Sequence, residues 1–183
     1  MNLPSQVKRY QYTDHECFKA DLLDLQEKKI TNFTKEKLTM KAEAGTETAV
    51  KAVLDKVAEG YAKQDLDLVL SAFAPDPDVV MYGTGADEKR IGLAEIQVQS
   101  ERDWSQTESA DITYGWTSVS AAGSVAWVVS DASFNLKTDG QEMTLPVRIT
   151  LVLEKRGEQW LIVQGLFSLP AAGQSEGESF PTE

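Results

Sequence analysis

The sequence predicts an α+β fold, with helices first and a bent antiparallel sheet after them, and three observations predict it. Apolar residues recur at helical spacing over Val50, Val53, Leu54, Val57, Ala58 and Tyr61. From about residue 111 onward the pattern becomes strand-like in four long stretches. Short turn signals separate those stretches, at Ala121-Ala122-Gly123, Asp139-Gly140 and Arg156-Gly157.

Each element follows in chain order. Thr46 stands where a helix N-cap would, just ahead of the Val50–Tyr61 stripe. Leu66, Val69, Leu70 and Phe73 predict a second, short helix, stopped by Pro75-Asp76-Pro77 because a proline ring cannot sit inside a helix. Val79, Val80, Met81 and Tyr82 predict a first strand, "GTGADEKR" a turn, and Ile96, Val98 and Trp104 a third helix beginning near Gly92. The long strands are expected over residues 111–119, 123–137, 141–155 and 159–169.

Three segments result. Residues 1–45 are rich in lysine and glutamate and poor in large apolar side chains, so they read as an extension with weak helices over 14–29 and 34–44. Residues 46–170 form the main domain, and residues 171–183 an extended tail.

The order helix, helix, strand, helix, then four long strands, carrying "YGTGADEKRIG", "RIT" and "WLIVQGLFS" at these places, resembles the SnoaL-like branch of the NTF2-like superfamily over residues 46–170. The resemblance implies a cone in which a strongly bent sheet wraps three helices around a cavity, and a homodimer formed through the sheet. It does not imply one reaction, because members include ketosteroid isomerases, polyketide cyclases, dehydratases and kinase association domains. Set against the ketosteroid isomerase pattern, the base position falls on Tyr82, and the oxyanion-hole positions on Val57 and on Thr150 or Leu151. No carboxylate stands there to take a proton, which disfavours that activity. The final strand has Leu166 where related branches carry a histidine.

Composition narrows the partners. The 183 residues include 18 Lys and Arg against 29 Asp and Glu, a formal net charge of -11. Such a chain is repelled by phosphate backbones and anionic lipid, so neither nucleic acid nor membrane is an expected partner. No apolar run reaches the roughly 18 residues needed to span a bilayer, and a single cysteine, Cys17, fits a reducing compartment; the expectation is a soluble, cytoplasmic protein.

Metal and cofactor sites are not expected. The acidic residues are scattered, and "GTGADE" lacks the Gly-Lys-Ser/Thr ending of a phosphate loop. Asp87 and Glu88 within it read as solvated turn residues. His15 and Cys17, if helical, point about 200° apart and cannot form a nucleophile and base pair.

The candidate site starts from Arg148, an arginine in mid-strand. A two-residue turn at Asp139-Gly140 pairs Thr138 with Gln141 and, counting back, Asp131 with Arg148, so the two charges are expected to meet. A three-residue turn at 156–158 pairs Leu153 with Leu161, Leu151 with Val163, Thr150 with Gln164 and Arg148 with Leu166. Asp131, Arg148, Thr150, Gln164 and Ser168 then share one face. That face reads either as a solvated or dimer-facing surface or as a polar cluster in the cavity, where Arg148 would bind a carboxylate, enol or carbonyl oxygen. Tyr82 and Trp104 join the candidate ligand-binding set; with Trp116 and Trp127 they also fit a packed core, and Trp160 a packing role near the last turn. Three functions remain open: binding or weakly transforming a carbonyl-bearing or anionic small molecule, serving as an oligomerisation module, and acting as an adaptor through the N-terminal helices.

Overall fold

The computed structural model describes residues 40–180. The expected helix over 14–29 and most of that over 34–44, with His15 and Cys17, lie outside them. Residues 40–43, the described part of the expected 34–44 helix ahead of Ala44, are not helical. They run antiparallel to an edge strand, with Ala42 N donating to Val119 O at 3.0 Å and Ala121 N donating to Met40 O at 2.9 Å. Ala42 is buried there, so residues just upstream of Thr46 pack on the domain.

Helix α1 spans Ala44–Lys63 and buries Val50, Val53, Leu54, Val57 and Gly60 along the expected stripe. Its N-cap is Glu43, without a side-chain cap, rather than Thr46. Helix α2, Leu66–Leu70, follows a tight corner in which Asp65 caps by accepting from Leu68 N at 2.9 Å. The corner depends on Gly60: a Cβ there would stand 2.6 Å from Val69 Cγ2 and 3.0 Å from Val69 N.

Strand β1 is Val80–Tyr82 and β2 is Lys89–Ile91, a short partner strand within what the sequence shows only as a turn. Helix α3 is Leu93–Ser105, starting after Gly92 as expected. The long strands are β3 Ser109–Ala122, β4 Val125–Thr138, β5 Gln141–Arg156 and β6 Gln159–Ser168. They form one sheet in the order β2-β1-β6-β5-β4-β3. It is antiparallel throughout except where β1 pairs parallel with β6. The helices pack on one face of this curved, unclosed sheet, the NTF2-like α+β cone.

The core lies between α1 and the inner face, where Ala126, Val128, Val147, Ile149, Leu151 and Leu153 are all nearly or fully buried. Trp160 is buried as expected, whereas Tyr82 and Trp116 are 46% and 65% exposed and are not core. Strand β3 carries a bulge at Gly115-Trp116. Buried Ser130 steadies it, donating to Trp116 O at 3.2 Å and lying 2.8 Å from Thr117 Oγ1.

The β4–β5 register is the expected one, with Thr138 opposite Gln141 and Asp131 opposite Arg148. Asp139 and Gly140 both have positive φ, 51° and 73°, as a type I′ hairpin requires. The β5–β6 register differs. The turn is two residues, Gly157-Glu158, so Arg156 pairs with Gln159, and a bulge follows between Val152 and Leu153. Leu153 therefore faces Ile162, Leu151 faces Gly165, Thr150 faces Leu166 and Arg148 faces Ser168. The tighter turn and the extra residue in β6 each move the register, which a uniform ladder count does not capture.

Candidate functional site

Between the helices and the inner sheet face lies a cavity of about 240 Å³. Its floor is apolar, built by Ile112 of β3, Phe134 and Leu136 of β4, Leu145 of β5 and Phe167 of β6, with Phe134 and Phe167 in tilted contact at 6.0 Å between ring centroids. Val57, Val69, Phe73, Met81 and Ile96 close the sides.

One end is polar. Helix α3 presents Gln99, Ser100 and Asp103 to the cavity, because positions i, i+1 and i+4 share one side of a helix. Tyr61, in the last turn of α1, meets them: its hydroxyl donates to Asp103 Oδ2 at 3.2 Å and lies 3.5 Å from Ser100 Oγ. Gln99 Nε2 donates to Asp103 Oδ1 at 2.7 Å and to Glu88 Oε1 at 3.2 Å. Glu88 is fixed from two further sides, by Arg102 Nη2 at 2.6 Å and by Gly85 N at 2.7 Å to its other oxygen. Arg102 also holds Asp87, at 2.8 Å. From β2, Arg90 lines the cavity, with Nη1 donating to Asp87 O at 2.7 Å.

Burial pushes the Asp103 carboxyl above the usual aspartate range, with nearby Glu88 adding to the rise, while the bonds from Gln99 and Tyr61 oppose it. Burial likewise pushes the Tyr61 phenol up, reinforced by the Asp103 charge, so this hydroxyl keeps its proton. A carboxyl that binds a proton readily, bonded to a phenol that does not lose one, is suited to accepting and returning a proton inside an apolar chamber. Two buried polar atoms of cavity-lining residues, Arg90 Nε and Gln99 Oε1, have no hydrogen-bond partner among the described residues. Such atoms are costly to leave unmet, and water or a ligand can meet them.

The residues singled out in the sequence sit elsewhere. Asp131, Arg148 and Ser168 align in one cross-strand row, and Thr150, Leu166 and Tyr82 in the next. Gln164 lies in a third row, between Val80 and Val152. All these rows are on the outer face, away from α1, and none of the candidate residues among them lines the cavity. Asp131 and Arg148 are exposed, and neither an ion pair nor a hydrogen bond joins them among the described residues, so the expected meeting of charges does not occur. In open solvent the gain from holding two side chains together is too small to fix them. Trp104 is behind the chamber rather than in its wall, edge-on to Tyr61 at 5.6 Å, with its buried Nε1 unpartnered among the described residues.

Tyr82, matched to the isomerase base, and Leu166, matched to the histidine of related branches, also turn outward at 46% exposed each, and it is their neighbours Met81 and Phe167 that face the chamber; Val57, matched to an oxyanion-hole position, does line it. Glu88 corrects another expectation. Its side chain is 15% exposed and built into the polar end, while Asp87 is solvated at 74%. Among the described residues no group of three or more His, Cys, Asp or Glu side chains is placed to hold a metal, and no helix is long and apolar enough to cross a membrane.

A SnoaL-like domain model matches residues 50–172. No curated protein matches the chain. Among solved structures, an NTF2-like superfamily protein from Salmonella enterica is 19% identical, covering 74% of this chain and 99% of that one, with a TM-score of 0.64. A protein from Novosphingobium aromaticivorans, provisionally named an aromatic ring hydroxylase, is 16% identical over 71% of this chain and 92% of its own, at a TM-score of 0.65. A protein from Xanthomonas campestris, provisionally named a calcium/calmodulin-dependent protein kinase II association domain, is 23% identical over 73% and 96%, at 0.62. These likenesses speak to the fold.

Proposed function

The chain belongs to the SnoaL-like domain family of the NTF2-like superfamily, and from that premise and the chamber we propose that it binds a small, largely apolar organic molecule bearing a carbonyl group and exchanges a proton with it. The observation that carries this reading is the Asp103–Tyr61 pair at the polar end of a cavity with an apolar floor. Asp103, ionised, would take a proton from the carbon beside the carbonyl and return it elsewhere, the step that isomerisation, cyclisation and dehydration have in common. Arg90 can donate to the carbonyl oxygen as negative charge develops there. A carbonyl fits better than an anion, because Glu88, Asp103 and Asp111 line the cavity beside Arg90, the single cation among the described lining residues.

Native mass spectrometry of protein recovered gently from cell extract tests this. The expected spectrum shows a retained small organic molecule, or gains one on loading with aryl ketones. Bare protein under every loading condition would count against the reading.

A second reading is supported by the outer face. Tyr82, Val129 and Leu166 are 44–46% exposed and lie in one cross-strand row, an apolar strip interrupted only by Thr150. On this reading the strip is the contact of a homodimer formed sheet to sheet, with Asp131, Arg148, Gln164 and Ser168 as its polar neighbours. The two readings are compatible, since the strip and the chamber are on opposite faces of one sheet.

A further inference from the structure

We propose that Gln99 determines ligand specificity, by requiring a hydroxyl or N–H donor on the bound molecule; the inference rests on the cavity reading above and narrows it. The amide of a glutamine can be turned either way, and here two carboxylates decide. Its nitrogen donates to Asp103 Oδ1 at 2.7 Å and to Glu88 Oε1 at 3.2 Å. Reversing the amide would set its oxygen against two acceptors and forfeit both bonds. The orientation is held from outside as well, because Arg102 and the Gly85 amide fix Glu88, and Tyr61 fixes Asp103.

The consequence is an oxygen with nowhere to go. Gln99 Oε1 is turned away from both carboxylates, buried, and without a donor among the described residues. Gln99 is part of the cavity lining, so a ligand that fills the polar end must bring a donor to this oxygen or leave it unmet. Arg90 Nε presents the opposite demand, a buried donor in want of an acceptor. A molecule meeting both carries an acceptor oxygen and, separately, a donor group: a hydroxylated ketone satisfies this, while its methyl ether satisfies only Arg90. A site built to bond a hydroxyl discriminates strongly against an analogue lacking it, because its own polar group is left stranded.

Matched pairs supply the probe: hydroxyacetophenone against methoxyacetophenone, and hydroxytetralone against methoxytetralone, titrated by calorimetry. Wild type should bind the hydroxy member at least about tenfold more tightly. Gln99→Met, close in shape but with no acceptor oxygen of that kind, should erase the preference while still binding the methoxy member. Equal binding of both members by wild type, which needs no variant to be read, overturns the role of Gln99 and leaves the cavity reading standing. So does a preference that survives in a cooperatively melting Gln99→Met. Failure of every member of both pairs to bind overturns the cavity reading together with the inference.

Discussion

Glutamate at both Val129 and Leu166 should abolish the sheet-to-sheet dimer proposed above, weakening association at least about a hundredfold, or roughly 2.7 kcal/mol. Both side chains stand outward, on β4 and β6 with Thr150 of β5 between them, 44% and 46% exposed, in the strip that also holds Tyr82. A two-fold contact brings the same patch of both subunits together, so the double substitution places four carboxylates in one desolvated seam. Each loses water without gaining a partner, and they repel one another. The fold itself should be untouched, since neither side chain is part of the buried core. Sedimentation at micromolar concentration reads the result. A wild type that is already monomeric, or a variant that still dimerises, would show that the strip is not the contact.

Asp103→Asn should change the pH dependence of stability and remove the proton acceptor. Burial favours the neutral carboxyl in the folded chain, so folded Asp103 keeps its proton to a higher pH than the unfolded aspartate does. Its contribution is therefore fully present below the ordinary aspartate value, near 3.9, and is lost as pH rises through the folded value. Asparagine does not titrate and can still bond both neighbours, its oxygen accepting from Gln99 and its nitrogen donating to the Tyr61 oxygen. Relative to wild type, the variant should gain stability as pH climbs from about 4 toward neutrality and hold that gain above it. Parallel stability curves would mean that Asp103 is not desolvated. On any substrate found for the cavity, loss of this group should cost about 10²–10⁴ in rate, the range of general acid–base catalysis.

Local rules made much of the fold legible. The stripe from Val50 to Tyr61 forms α1, Pro75 and Pro77 follow the end of α2, and Asp139-Gly140 sets the β4–β5 register correctly over the whole hairpin. The β5–β6 register was not legible, because nothing in "LIVQGLFS" marks the bulge that displaces one strand against the other. The shared outer face of Asp131, Arg148, Thr150, Gln164 and Ser168 follows from strand alternation alone. Which face that would be does not, because alternation cannot say on which side the helices pack.

The chamber's polar end was hidden for a different reason. Tyr61 ends an apolar stripe and reads as core, while Gln99 and Asp103 sit in the polar segment "QVQSERDW" and read as a solvated helix face. Only the sheet order brings them together. The parallel pairing of β1 with β6 carries β2, and with it Glu88 and Arg90, over to α3. The one usable signal was the i, i+4 pair Gln99–Asp103 on a helix that also presents buried Ser100.

The most direct test compares a ligand site in the chamber with one on the outer face, by calorimetric titration of hydroxytetralone into three proteins: wild type, Ala110→Leu and Arg148→Met. Ala110 is a buried wall residue of the cavity, and leucine there takes up space that a ligand needs, whereas Arg148 is exposed on the opposite face of the sheet. The expected result is a loss of at least about tenfold in affinity for Ala110→Leu and none for Arg148→Met. Binding that survives Ala110→Leu and disappears in Arg148→Met would contradict it and place the site on the outer face.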